Sequence, residues 1–197
     1  MSDPGPPGLG RTVGLVAILN GLYFFVEGAV ALSIGSVSLF ADSIDFLEDT
    51  SVNVLILLAL RWSARARARV GMGLAAILLA PALAGLITAI GKLQTMVPPD
   101  PVPLSLTGAG ALLVNLTCAL MLARYPNHAG GLTKAAFLSA RNDVLANIAI
   151  IAAGAVTAWL WASPWPDLIV GIGIGVLNAD AAREVWQAAR GEHDAAA

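Results

Sequence analysis

The sequence predicts an all-α integral membrane protein with six transmembrane helices and both termini in the cytoplasm. Of its 197 residues, 57% are hydrophobic and 12% are charged, whereas a soluble domain carries roughly 25% charge. The mean hydropathy is +0.77, and the apolar residues form runs that reach the ~20 residues a membrane-spanning helix needs. The positions of the basic residues then set the orientation of the bundle.

The apolar runs divide the chain into six predicted spans. In chain order, these spans cover residues 12–33, 36–60, 70–90, 104–122, 134–160 and 166–186. Together they make one six-helix domain over residues 12–186, with short cytoplasmic tails at 1–11 and 187–197. We expect a proline-rich loop at 92–103 and a kink at Pro81 inside the third span.

Basic residues indicate which side of the membrane each loop occupies. If the spans alternate, the four arginines of residues 61–69 and nearly all other basic residues fall on one side, and only Lys92 falls on the other. By the positive-inside rule, both termini are then cytoplasmic. The net charge of only −2 gives no electrostatic reason to expect nucleic-acid binding.

The second predicted span carries four acids, Asp42, Asp45, Glu48 and Asp49. A carboxylate at membrane depth is costly, so it usually faces a pore, a partner or an ion. Asp45 and Asp49 are four residues apart and share one face of a helix, and Asp42 and Asn53 extend that face. Two adjacent carboxylates repel unless a cation or a proton lies between them. The pattern therefore predicts a positively charged substrate.

The fifth predicted span carries a second polar face, in which Ser139, Asp143 and Asn147 are spaced by four. If this face lies against Asp45 and Asp49, the two aspartates, Asp143 and either Ser139 or Asn147 form a four-ligand oxygen cage. The sequence leaves open which of three residues completes the site: Ser139, Asn142 or Asn147.

Two segments, GSVSLFADSIDFLED and SARNDVLAN, resemble signatures of the cation diffusion facilitator (cation efflux) family. In the second helix of that family, a metal-binding His or Asp lies four residues before a second metal-binding Asp. In this sequence, Asp45 and Asp49 occupy these positions. Its fifth helix usually has a His four residues before an Asp. Asp143 matches that Asp, but Ser139 stands where the His or Asp is expected.

The resemblance extends through all six spans, including FFVEGAVAL with Glu27 and WPDLIVGIGIGVL with Asp167. It implies a proton-coupled exporter of divalent metal ions, as a homodimer in the lipid bilayer of a bacterial plasma membrane. The metal is then the transported substrate, and no resident cofactor is expected. The cytoplasmic metal-binding domain that commonly follows the sixth helix is not seen, so the resemblance implies a short form of the family.

The ligand chemistry favours a hard ion over zinc. Zinc prefers nitrogen and sulfur ligands, whereas carboxylate and amide oxygens suit Mn²⁺, Mg²⁺ or Fe²⁺. Mn, Fe, Co and Zn all stay open as substrates. Because metal binding expels protons from ligand carboxyls, the site also predicts proton antiport.

Other functions and other roles for the polar residues stay open. The alternatives to a metal exporter are a non-transporting membrane subunit of a metal-handling system and a small organic-cation exporter. An enzyme is not expected, since neither His128 nor His193 lies in a span. Asp42 is interpreted as supporting the ligands or the helix packing. Asn20 and Glu27 are interpreted either as hydrogen-bonding groups between helices or as residues of the ion pathway.

Overall fold

The computed structural model describes residues 8–59, 86–125 and 132–177. Within these ranges the chain is helical apart from short connections. The helices are α1 (Leu9–Ile34), α2 (Val37–Ala59), α3 (described over 86–95), α4 (Pro101–Leu122), α5 (Leu132–Trp159) and α6 (described over Trp165–Leu177). The side chains of 132–139 and that of Arg141 are not described.

Three stretches of helix in the described ranges are long and apolar enough to cross a membrane: Leu9–Ile34, Pro101–Leu122 and Asn142–Trp159. The described part of α6 is a shorter apolar helix. Large apolar side chains point away from the bundle, and Phe25, for example, is 70% exposed. An all-helical, multi-pass membrane protein is therefore confirmed, while the cytoplasmic placement of both termini stays a prediction.

Glycines spaced by seven along α1 bring it close to α2. Each lies opposite a side chain of α2, and those side chains are also spaced by seven: Gly14–Leu57, Gly21–Thr50 and Gly28–Ser43. A Cβ on these glycines would lie 3.9, 3.6 and 3.7 Å from the facing side chain. A seven-residue repeat keeps the same face in contact over successive pairs of turns, so the two helices pack antiparallel along their length.

The connection between α1 and α2 is a glycine turn. Gly35 adopts the left-handed conformation, with φ 62° and ψ 39°, which is favourable for glycine because it has no Cβ. The backbone N–H groups of Gly35 and Ser36 both donate to the carbonyl of Ala31. The turn therefore ends α1 and lets α2 begin two residues later.

A buried carboxylate from α6 caps the first turn of α2. Oδ2 of Asp167 accepts from the backbone N–H of Val37 at 2.8 Å, and Oδ1 accepts from the hydroxyls of Ser36 and Ser38, both at 2.6 Å. Nζ of Lys92, in α3, donates to the carbonyl of Gly35 at 2.6 Å. Negative charge at a helix N-terminus is stabilising, so this end of the bundle ties α2 to both α3 and α6.

The structure corrects the predicted loop at 92–103. Residues 92–95 are helical and belong to α3, and α4 begins at Pro101. The side chain of Asp100 accepts from the backbone N–H of Val102 at 3.0 Å. Proline suits the first turn because its missing N–H would have had no partner there. The expected kink at Pro81, the arginine-rich loop and both tails fall outside the described residues.

The glycines of α6 provide a matched test of helix packing. A Cβ on Gly171 would lie 2.7 Å from both the nitrogen of Ser38 and the carbonyl carbon of Val37, whereas nothing lies within 4 Å of one on Gly173. Gly171→Ala should therefore lower the free energy of unfolding by about 1–3 kcal/mol. Gly173→Ala should leave it unchanged or raise it by up to ~1 kcal/mol. Unfolding in mixed micelles by titration with SDS measures both, and equal effects would contradict this packing.

Candidate cation site

The interior between α1, α2, α4 and α5 is polar, although the surrounding helices are apolar. The buried acids and amides that line it include Asn20, Glu27, Asp42, Asp49, Asn115, Asp143 and Asn147. Four of these seven residues are acids. Buried acids in a membrane bundle are costly and mark functional sites by default, so this interior is the candidate site.

A pair of hydrogen bonds through Asn147 joins α2, α4 and α5. Nδ2 of Asn147 donates to Oδ2 of Asp42, and its Oδ1 accepts from Nδ2 of Asn115 at 3.1 Å. Both ends of the Asn147 amide are therefore engaged, and its oxygen keeps one lone pair that could still bind a cation. This contact places the acidic face of α2 opposite the polar face of α5, as the sequence predicts.

Asp49 is linked to α1. Its Oδ2 accepts from Nδ2 of Asn20 at 3.4 Å, and Oδ1 of Asn20 accepts from the thiol of Cys118 at 3.6 Å. Asn53, one turn further along α2, donates from Nδ2 to the backbone carbonyl of Asp49 at 2.8 Å. These contacts hold the Asp49 carboxylate in the interior, where only 5% of the residue is exposed.

The three predicted carboxylate ligands lie in the same region, with Asp49 and Asp143 buried and Asp45 partly buried. Asp143 lies within electrostatic range of Asp45, and Asp49 lies within electrostatic range of Asp143. In the described ranges, however, no three side chains of His, Cys, Asp or Glu are close enough together to hold a metal ion. The acids are therefore gathered in one region without forming a closed coordination shell.

The fourth ligand is not fixed by the described residues. Ser139 lies one turn before Asp143 in α5, but its side chain is outside the description. Asn142 is exposed, whereas Asn147 is buried and in contact with α2. Ser139 and Asn147 therefore stay predicted ligands, and the exposure of Asn142 points it away from the interior.

Sequence reasoning missed two contacts of the interior. Asn115 lies in a glycosylation-like Asn-Leu-Thr sequence and belongs to the buried network through Asn147. The carboxyl group of Glu27 lies within hydrogen-bonding reach of that of Asp42. A signal for the second contact was present, since Asn20 and Glu27 are seven residues apart and so share the face of α1 that meets α2.

An apolar helical bundle with acids gathered in its interior is the architecture of a membrane transporter for cations. The family model of the cation efflux transmembrane domain matches residues 13–189, which is most of the chain. The chain therefore belongs to the cation efflux family, and the resemblance drawn from its second and fifth helices is confirmed. No curated protein matches the chain.

Two asparagines of α5 test the polar network. Asn147→Ala should lower the free energy of unfolding by about 1–3 kcal/mol, because it leaves Asp42 and Asn115 without their hydrogen bonds in a buried place. The matched change Asn142→Ala removes an exposed side chain of the same helix and should change it by less than ~0.5 kcal/mol. SDS titration of both variants measures the difference. Equal stabilities would show that the Asn147 network contributes nothing.

Proposed function

We propose that the protein exports a divalent metal ion from the cytoplasm in exchange for protons. The ion binds between Asp45 and Asp49 of α2 and Asp143 of α5. The observation that carries this proposal is the hydrogen bond from Asn147 to Asp42, which brings the acidic face of α2 against α5. Membership of the cation efflux family supports the same assignment.

The donor set favours a hard divalent ion such as Mn²⁺ or Fe²⁺. The three carboxylates supply only oxygen, and the remaining candidate ligands, Ser139 and Asn147, also supply oxygen. Because the acids do not form a closed shell in the described residues, binding would draw α2 and α5 together around the ion. That movement is a physical means of closing the site to one side of the membrane.

Proton exchange follows from burial. A carboxylate deep in an apolar bundle is costly when it is charged and unpaired, so the empty site is expected to hold protons. Metal binding expels those protons, and metal release lets them return. The outward direction of metal transport follows from the predicted orientation, in which the arginine-rich loop is cytoplasmic. A homodimer in a bacterial plasma membrane is part of this proposal through the family resemblance.

Transport into proteoliposomes tests the proposal. With an imposed pH gradient, we expect the wild type to take up one of Mn²⁺, Fe²⁺, Co²⁺, Zn²⁺ or Mg²⁺ when each is offered alone. Asp49→Asn should reduce the uptake rate by about tenfold or more, because it removes a ligand charge at the site. Each ion is measured with a metal-sensitive dye trapped inside the vesicles.

Glu48→Gln is the matched control, since it neutralises an acid of the same helix that lies off the Asp45–Asp49 face. It should keep most of the uptake. Uptake of no metal by folded protein, or uptake indifferent to Asp49→Asn, would contradict the proposal. An organic cation transported instead would point to the organic-cation exporter.

A further inference from the structure

Glu27 is a buried acid that the proposed site does not use. It is 0% exposed, and neither oxygen of its carboxyl group has a hydrogen-bond partner among the described residues. Oδ1 of Asp42, which is also 0% exposed, likewise lacks one. Buried polar groups are almost always paired in native proteins, so three unpaired oxygens in one place call for an explanation.

The pairing of α1 with α2 places Glu27 and Asp42 together. Asn20 of α1 contacts Asp49 of α2. Seven residues further along α1, Glu27 meets Asp42, which lies seven residues before Asp49 on the antiparallel α2. The neighbouring Gly28 faces Ser43, where the absence of a side chain lets the two helices approach closely. The carboxyl groups of Glu27 and Asp42 come within hydrogen-bonding reach of each other. The contact is thus a regular feature of the helix packing.

Three unpaired carboxyl oxygens suit a metal ion as the occupant of this place better than a single shared proton. A single proton shared by the two carboxyls would join one oxygen of each and leave the third without a partner. A metal ion coordinates several oxygens at once, and Asp and Glu carboxylates are the ligands that hard divalent ions prefer. Asn147 donates to the other oxygen of Asp42 and so orients Oδ1 away from that bond.

The pair also lies in line with the proposed site. Asp42 precedes Asp45 by three residues of α2, which is about 4.5 Å along the helix axis. The displacement is toward the end of the bundle that holds Gly35 and the Asp167 cap. An ion leaving Asp45 in that direction would meet Glu27 and Asp42 next.

We propose that Glu27 and Asp42 form a second cation subsite. Through this subsite the divalent metal ion passes between the Asp45, Asp49 and Asp143 site and the end of the bundle at the α1–α2 connection. The subsite rests on the proposed transport function, but it is tested separately by counting bound ions.

Equilibrium dialysis of the full chain in lipid nanodiscs, with Mn²⁺ as the probe, measures the number of ions bound per chain. We expect about two for the wild type, and about one for either Glu27→Gln or Asp49→Asn. Asp100→Asn is the matched control, because it also turns an acid into an amide but lies in the exposed connection before α4. Asparagine caps a helix about as well as aspartate, so this variant should bind the wild-type number.

The outcomes separate the two proposals. If Asp49→Asn loses one ion and Glu27→Gln loses none, the second subsite is wrong and the first site stands. If neither variant loses an ion, both sites are wrong. If Glu27→Gln loses one ion and Asp49→Asn loses none, the subsite stands and the first site is wrong. No binding by the wild type would overturn both.

A second variant covers the case in which Glu27→Gln does not fold. Glu27→Asp keeps the carboxylate but shortens its reach by one methylene group. It should weaken the binding of one ion and leave the other at wild-type affinity. Equal weakening of both ions, or of neither, would contradict a separate subsite at Glu27.

Discussion

The structure depends on how the chain keeps carboxyl groups inside an apolar bundle. Such groups are costly there unless they are paired, protonated or bound to a cation. The glycines spaced by seven along α1 bring this helix close to α2. As a result, Asn20 contacts Asp49, and Glu27 comes within hydrogen-bonding reach of Asp42. Asn147 then brings in α5. Together these contacts gather buried acids of α1, α2 and α5 in one region of the described bundle, which is the region where we propose that a cation binds.

The two parts of α2 are held in different ways. At its first turn, the Asp167 carboxylate accepts from the backbone N–H groups of Val37 and Ser38, and Lys92 donates to the carbonyl of Gly35 just before the helix. Around its acids, side-chain hydrogen bonds join Asn20 to Asp49 and Asn147 to Asp42. Single side-chain bonds are easier to exchange for an ion than a multiply bonded helix cap. Cation binding would therefore rearrange the middle of the bundle while the capped end stays in place.

Much of the candidate site could be predicted from the sequence, because spacing along a helix decides which residues share a face. The shared face of Asp45 and Asp49 and the shared face of Asp143 and Asn147 both follow from a spacing of four. The contact of Glu27 with Asp42 depends on the register between two helices, which one sequence does not fix. The Asp167 cap joins residues about 130 apart in the chain, so local patterns could not predict it. The predicted start of α4 at residue 104 is too late, because the sequence favours a loop at the preceding prolines. The helix begins at Pro101, with Asp100 as its N-cap.

The central claim is that a divalent ion binds between α2 and α5 at Asp45, Asp49 and Asp143. The most direct test is the anomalous X-ray signal of Mn²⁺ in crystals of the lipid-bound protein. We expect a strong peak within about 2.5 Å of carboxylate oxygens from Asp45, Asp49 and Asp143. Peaks confined to surface carboxylates or to the loops, with the interior empty at saturating Mn²⁺, would contradict the account.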